Sequence, residues 1–305
     1  MISALEGIEG TGKSTQTPKL ALHFREQGEE TIESREPGTA LVPMTLSLRK
    51  LMLDAYYVND RRSLRAEIRI IMNGCVATVL PPIAAKLLRW ILTQPSLDKI
   101  DWDPTHPMEW LTNPKGTIPP PSEDDATTHD PMGKVDTELI SQAIRSLHIE
   151  YVLRPAKTNG TTKHVVLDRS LFSGLAYGYS CGHDPAWLEH LAQLVLGVPK
   201  VEDIYNFYDR ILYLSRDDDE MDSLVRAQRV TAEVKEFQGG DKMENRGLAG
   251  QMAAKAGFEY FMPKFGSRII LVSAKGTIEE VHQRIVGAIG GIYKFHHIPK
   301  PKHEI

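Results

Sequence analysis

Gly7, Gly12, Lys13 and Ser14 stand in the spacing Gly-x-x-x-x-Gly-Lys-Ser, and each residue type answers a need of phosphate chemistry. Glycines let successive backbone N–H groups turn inward around phosphate oxygens. The N-terminus of a following helix adds partial positive charge, Lys13 neutralises the β and γ oxygens, and the Ser14 hydroxyl can ligate Mg2+. Gly7, Gly10, Thr11, Gly12, Lys13, Ser14 and Thr15 are therefore candidate contacts for a nucleoside triphosphate. The flanking residues supply the required context. Met1 to Leu5 is a short apolar run that reads as a strand, and Leu20 and Phe24 keep helical spacing until Gln27-Gly28 stops it. Hydrolases, motors and kinases share such a loop, so the rest of the chain must decide the reaction.

Arginines and carboxylates placed at strand ends are the next candidates. His164 to Leu167 is an uninterrupted β-prone run that ends at Asp168-Arg169, and Thr31 to Ser34 is another that ends at Arg35-Glu36-Pro37-Gly38. Open α/β sheets bind their ligands at the carboxyl ends of such strands. Ile211 to Leu214 and Arg268 to Val272 repeat the pattern. Helical segments lie between them, at Leu46 to Asp54, Arg61 to Asn73 and Val135 to Leu153. This alternation predicts an α/β protein with a three-layer P-loop fold, a parallel sheet of about five strands flanked by helices and carrying a helical and irregular insertion.

The chain has 305 residues, a formal charge of −4 and 41% hydrophobic residues, which excludes a disordered, collagenous or disulfide-framed protein. Its two cysteines, Cys75 and Cys181, are expected to be small buried hydrophobes. No leader pattern opens the sequence, and no apolar run is long enough for a membrane helix; Lys86, Arg89 and Pro81-Pro82 interrupt Val76 to Leu92, which reads as one or two amphipathic helices. A cytoplasmic location and no membrane partner are expected. Pro95 to Pro131 is rich in proline and acidic residues and is expected to be a surface segment. Trp102 and Trp110 within it are expected to pack locally, a homodimer contact being the alternative. The length is read as one P-loop domain over 1–305, with an insertion at 55–134, a lid region at 215–245 and a C-terminal tail at 291–305. His296, His297 and His303 in the tail are assigned no metal.

Glu6-Gly7-Ile8-Glu9-Gly10-Thr11-Gly12-Lys13-Ser14-Thr15-Gln16 resembles the opening of the thymidylate kinases. Further landmarks follow in that family's order. Arg35-Glu36-Pro37-Gly38-Thr39 resembles its Arg-Glu-Pro-Gly-Gly-Thr segment with one glycine missing. Ala143-x-Arg145-x-x-His148 is similar to its Ala-Asp-Arg-x-x-His helix, and Asp168-Arg169, Ser173 and Ala176-Tyr177 to its Asp-Arg-Tyr…Ser…Ala-Tyr-Gln segment. Asp241-Lys242-Met243-Glu244 is similar to a stretch after the lid, and Val272-Ser273-Ala274 lies where the family's adenine loop follows the last strand. The resemblance covers roughly Met1 to Asp54 and Val135 to Ile289. It implies transfer of the ATP γ-phosphoryl group to a deoxypyrimidine 5′-monophosphate.

The resemblance also implies roles. Lys13, Arg169 and Asp168 would be catalytic, with Ser14 and Asp168 serving the metal and Arg169 bridging the two phosphates. Arg226 and Arg229, at helical spacing before Gly239-Gly240, would be lid arginines that close over ATP, and Ala274 would contact the adenine. Glu9 would accept from the acceptor sugar, Arg35, Pro37 and Arg49 would hold the acceptor phosphate, and Arg145, Ser141 and Tyr177 would line the base pocket. Three positions depart from the pattern: Ser141, Ser170 and Gly178 replace phenylalanine, tyrosine and glutamine. These changes are expected to enlarge or polarise the pocket, and Trp90, Trp102 and Trp110 could supply a stacking ring. The second reading is therefore a kinase for a modified pyrimidine such as a 5-hydroxymethylated one, free or within DNA. For DNA, Arg61-Arg62-Ser63-Leu64-Arg65-x-x-x-Arg69 is the one basic cluster, set against a negative overall charge; a solvated charged face is the preferred reading. A nucleotide-dependent binding protein with a degenerate acceptor site is the third, disfavoured by Asp168-Arg169 and Glu9.

Overall fold

The computed structural model describes residues 1–74, 80–94, 96–100, 105, 111, 132–216 and 247–291. Among them, five strands form one sheet: β1 (Ile2–Glu6), β2 (Thr31–Arg35), β3 (His164–Asp168), β4 (Arg210–Ser215) and β5 (Ile269–Ser273). The order is β2-β3-β1-β4-β5, and every neighbouring pair is parallel. Each strand matches its apolar run to within a residue or two.

Successive residues of β1 and β3 point to opposite faces, and both faces are buried. Ala4, Val165 and Leu167 share a core with Leu87, Leu88 and Ile91 of α5 (Pro82–Thr93) and with Leu139, Ala143 and Leu147 of α6 (Lys134–His148). Leu5, Val166 and Leu212 pack instead against Leu20 and Phe24 of α1 (Lys13–Glu26) and Ile285 of α11 (Ile278–Ile289). These are the three layers expected from the alternation of strands and helices.

The other helices complete the first of these faces and its rim. α2 (Pro43–Leu53) and α3 (Ala55–Asn59) follow β2, and α4 (Arg61–Gly74) precedes α5. α6 continues through a π-helical turn, Ile149–Leu153, into α7 (Arg154–Thr158), so the helical pattern read over Val135 to Leu153 is one nearly continuous rod. After β3 come α8 (Leu171–Ser180) and α9 (Pro185–Leu196), and before β5 comes α10 (Gly247–Phe265). α10 crosses α8 with the backbones almost touching: a Cβ on Gly257 would sit 2.2 Å from the Ala176 carbonyl oxygen.

Several expectations change here. Arg61 is 2% exposed and its guanidinium makes a paired contact with Asp136 at 2.7 and 2.9 Å, while Arg65 donates to the Ile91 carbonyl at 3.0 Å. Arg61 and Arg65 tie α4 to α5 and α6, whereas Arg62 and Arg69 are exposed, so only half of the cluster is the solvated face expected. Trp90 is buried in the core and is not free to stack on a ligand, and Cys181 is half-buried rather than fully buried. Cys75, Trp102, Trp110 and the histidines of the tail lie outside the described residues. No helix among the described residues is long and apolar enough to cross a membrane.

Candidate active site

The strand order places β1 between β3 and β4, so consecutive connections leave the sheet on opposite sides and open a crevice at the carboxyl ends of β1 and β3. The loop 7–12 lies over that crevice. Gly7 has φ 131°, and a Cβ there would stand 2.5 Å from the Leu214 carbonyl oxygen, so the loop can start only with glycine. α1 begins at Lys13 with no side chain capping its first turn and no acidic residue in it, which leaves its N–H groups to an anion. Gly10, Gly12, Ser14 and Thr15 are exposed at this mouth, while Thr11 is buried and its hydroxyl donates to the Ile8 carbonyl at 2.9 Å.

Lys13 folds back over the loop. Its Nζ donates to the Ile8 carbonyl at 2.7 Å and to Thr11 Oγ1 at 3.4 Å. Burial, and then the nearby Arg169, push its pKa down to about 7 against the pull of Asp168, Glu6 and Glu9. The ammonium thus has one carbonyl and one hydroxyl, and no carboxylate among the described residues, in hydrogen-bond contact, a setting that a triphosphate would complete.

Asp168 and Arg169 end β3 beside this lysine. Ser14 Oγ donates to Asp168 Oδ2 at 2.7 Å, which joins the P-loop helix to the neighbouring strand. Arg169 has φ 69°, a left-handed backbone rare for a branched cation, and reaches Ser173 Oγ at 3.2 Å and the Gly7 carbonyl at 3.4 Å. Its guanidinium lies 5.2 Å from the centre of the Tyr177 ring.

Glu6 explains how that backbone is held. The buried carboxylate accepts from Ser170 N–H and Ser170 Oγ, both at 2.7 Å, from Ser173 N–H at 3.1 Å and from Ser173 Oγ at 2.5 Å. It therefore caps the start of α8 and fixes Ser170 and Ser173, just after Arg169. Burial raises its pKa, opposed by those serines and by Arg169. Sequence reasoning gave Glu6 no role. The available signal was two serines, 170 and 173, opening a helix opposite a carboxylate at a strand end.

A second buried cluster stands next to the first. Arg145 Nε donates to Glu36 Oε2 at 2.8 Å, and His148 spans Glu36 Oε1 at 3.1 Å and Ser34 Oγ at 2.9 Å. Burial opposes ionisation of Glu36, but Arg145 and then His148 outweigh it and hold the pKa below its ordinary value. Tyr208 links the clusters: its hydroxyl accepts from Leu171 N–H and donates to Glu36 Oε1, each at 3.3 Å. Glu36 and His148 are further residues that sequence reasoning quoted without a function.

The remaining candidates surround these clusters. Arg35 is exposed at the end of β2, Pro37 follows a cis peptide bond, and the Arg49 stem packs against Gly38. Glu9 and Ser141 are half-buried, and Ala274 is buried with its N–H donating to the Ser215 carbonyl at 2.8 Å. Arg226 and Arg229 lie outside the described residues. Ser170 is no base-pocket residue, since it caps α8 and bonds Glu6. Gly178 opens no space either: a Cβ there would meet Leu188 at 2.7 Å and Glu138 Oε2 at 3.2 Å. Two of the three supports for an enlarged pocket are thereby removed, and Ser141 alone remains.

Comparison with known proteins agrees with this geometry. A family model described as thymidylate kinase matches residues 5–66. The thymidylate kinase of Chlorobaculum parvum is 25% identical over 293 residues, covering 95% of each chain, and that of Chlorobaculum tepidum is 25% identical over 297 residues, covering 96% of this chain and 98% of that one. The crystal structure of thymidylate kinase from Ehrlichia chaffeensis has the same fold, with a TM-score of 0.51 at 17% identity over 95% of this chain and 98% of that chain. In motif order, sheet topology and these matches the chain is similar to the thymidylate kinases, which supports an ATP-dependent nucleoside monophosphate kinase.

Proposed function

We propose that the protein transfers the γ-phosphoryl group of ATP to a deoxypyrimidine 5′-monophosphate, dTMP or a close analogue, to give the diphosphate. The observation that carries this reading is the junction of the P-loop with β3, where Ser14 Oγ meets Asp168 Oδ2 at 2.7 Å and Lys13 and Arg169 flank it. Phosphoryl transfer asks a protein mainly to align two anions and neutralise their charge. Lys13 would swing from the Ile8 carbonyl to the β and γ oxygens, and Arg169 would bridge donor and acceptor phosphates. Arg49 and Arg35, on the β2 side of the crevice, would hold the acceptor phosphate beside Pro37, and Glu9 would accept from the sugar hydroxyl.

Ser14 and Asp168 are hard oxygen donors, and the described residues contain no cluster of three or more His, Cys, Asp or Glu fit for a metal ion. That set suits Mg2+, which takes few protein ligands and draws the rest from water and phosphate. When bound, the ion would screen the charge of the triphosphate. Ala274 would face the adenine, and Arg226 and Arg229 would close over ATP from a lid within 215–245. Lys13→Ala is expected to abolish transfer, and Arg169→Ala to lower kcat at least a hundredfold with a smaller change in the KM for ATP, read in an ADP-coupled assay. Full turnover in the Arg169 variant would contradict its assigned role.

A further inference from the structure

His148 is fully buried on α6, and its two ring nitrogens engage the residues on either side of Arg35: Nε2 meets Ser34 Oγ at 2.9 Å and Nδ1 meets the Glu36 carboxylate at 3.1 Å. Residues two apart on an extended strand share a face. The imidazole therefore pins the inner face of the β2 end and leaves Arg35 on the outer face, where it is exposed. Glu36 N–H also donates to the Asp168 carbonyl at 2.9 Å, just past the last β2–β3 pair, Arg35 with Asp168. The end of β2 is thus held from two sides, by β3 and by α6.

The hold passes on to α2. Ser34 Oγ donates to Thr39 Oγ1 at 3.0 Å, and Thr45 Oγ1, in the first turn of α2, accepts from Thr39 N–H at 2.8 Å. Ser34, Thr39 and Thr45 are all buried, so breaking any of these bonds would leave a polar group away from water, and the chain of contacts has little freedom to rearrange. Gly38 lies inside this turn with φ 88°. A Cβ there would stand 3.1 Å from Arg49 Cδ and 3.2 Å from the Thr45 carbonyl oxygen. The bare backbone of Gly38 is therefore the seat on which the Arg49 stem rests.

We infer that His148 is a positioning residue for the acceptor phosphate: by joining Ser34 to Glu36 it sets the direction of Arg35, and through Thr39 and Thr45 it fixes the seat of Arg49. The inference rests on the reading above in which Arg35 and Arg49 hold that phosphate. His148 itself touches no substrate and moves no proton in the transfer. Its importance follows from the demands of in-line transfer, where misplacing a reacting group by about 1 Å costs about a hundredfold in rate. Arginine side chains are long and rotatable, so their stems must be fixed by something else.

The test is steady-state kinetics of the full-length enzyme, with dTMP and ATP varied in turn. His148→Leu keeps neither bond and should raise the KM for dTMP about tenfold or more while leaving the KM for ATP within about twofold. His148→Asn, whose amide stands near the place of Nδ1, and His148→Gln, whose amide stands near the place of Nε2, should each recover part of the loss. In a background carrying both Arg35→Ala and Arg49→Ala, adding His148→Leu should change kcat/KM for dTMP by less than about twofold, because the groups it positions are gone. Thr45→Val, one hydroxyl exchanged for a methyl at the far end of the chain of contacts, should raise the KM for dTMP severalfold and serves if leucine unsettles the core. An unchanged KM for dTMP in both His148→Leu and Thr45→Val, equal rises for dTMP and ATP, or the same loss with and without the two arginines would overturn the inference and leave the function standing. A wild-type enzyme that phosphorylates no deoxypyrimidine monophosphate would overturn the function and this inference with it.

Discussion

Lys13 shows how much of a site is set by one residue's surroundings. Its amine is buried against the Ile8 carbonyl and the Thr11 hydroxyl with a pKa of about 7, so the ligand-free enzyme at neutral pH carries it partly uncharged. A bound triphosphate would restore the charge, so ATP binding should take up a proton above pH 7 and little below about pH 6 through this group. The sign follows from linkage: the complex binds more protons than the free protein between the depressed and the ordinary lysine pKa, so affinity falls as pH rises through that window. Titration calorimetry in buffers of different ionisation enthalpy measures the uptake, and Lys13→Arg, which cannot lose its proton, should remove it. Equal uptake in wild type and variant would contradict the assignment. At this scale the sequence was legible where one residue type has one use, as in Gly7, Lys13 and Ser14. It was silent about Glu6, Glu36 and His148, because a carboxylate or imidazole in a string of letters does not show whether it will be buried, or against what.

At the scale of elements, the five strands were readable from short β-prone runs ended by polar residues, and the long helix from Val135 was readable from its period. Pairing between helices was not. The Arg61 to Arg69 cluster read as a charged surface, since basic residues on a helix are most often solvated, yet Arg61 is drawn inward by Asp136 on α6, more than seventy residues away in sequence. Burial raises the pKa of Asp136 even against the bond from Arg61, which marks how little water reaches the pair. Removing one partner would strand the other charge in the core. Arg61→Met is expected to cost about 3–5 kcal/mol in urea unfolding, and Arg61→Met with Asp136→Leu considerably less, because the double change strands no charge. Equal losses in the single and double variants would show that the pair acts by packing alone. Gly178 makes the same point in reverse. Its lost side chain suggested a wider pocket, but Leu188 and Glu138 from neighbouring helices occupy the place.

For the whole molecule, the described helices within 55–134 are not an appendage. Leu64, Ile68, Leu87, Leu88 and Ile91 share one core with Ala4 and Leu167 of the sheet. We therefore propose one domain over 1–305, in which 55–134 is built into the body, 215–245 forms the lid and 291–305 is a tail. The net charge of −4 fits an acceptor that is a free nucleotide held by a few placed arginines, not a polyanion that would need a broad basic surface. The fold class was legible because strands and helices alternate along the chain. The acceptor was not, because residues such as Glu36 and Arg145 meet only once the helices pack. The most direct measurement is to incubate the purified protein with γ-labelled ATP, Mg2+ and dTMP and to identify the labelled product by chromatography. Label appearing in dTDP, and absent with Lys13→Ala, is the expected result; label released only as inorganic phosphate, or transferred to duplex DNA and to no free nucleotide, would contradict it.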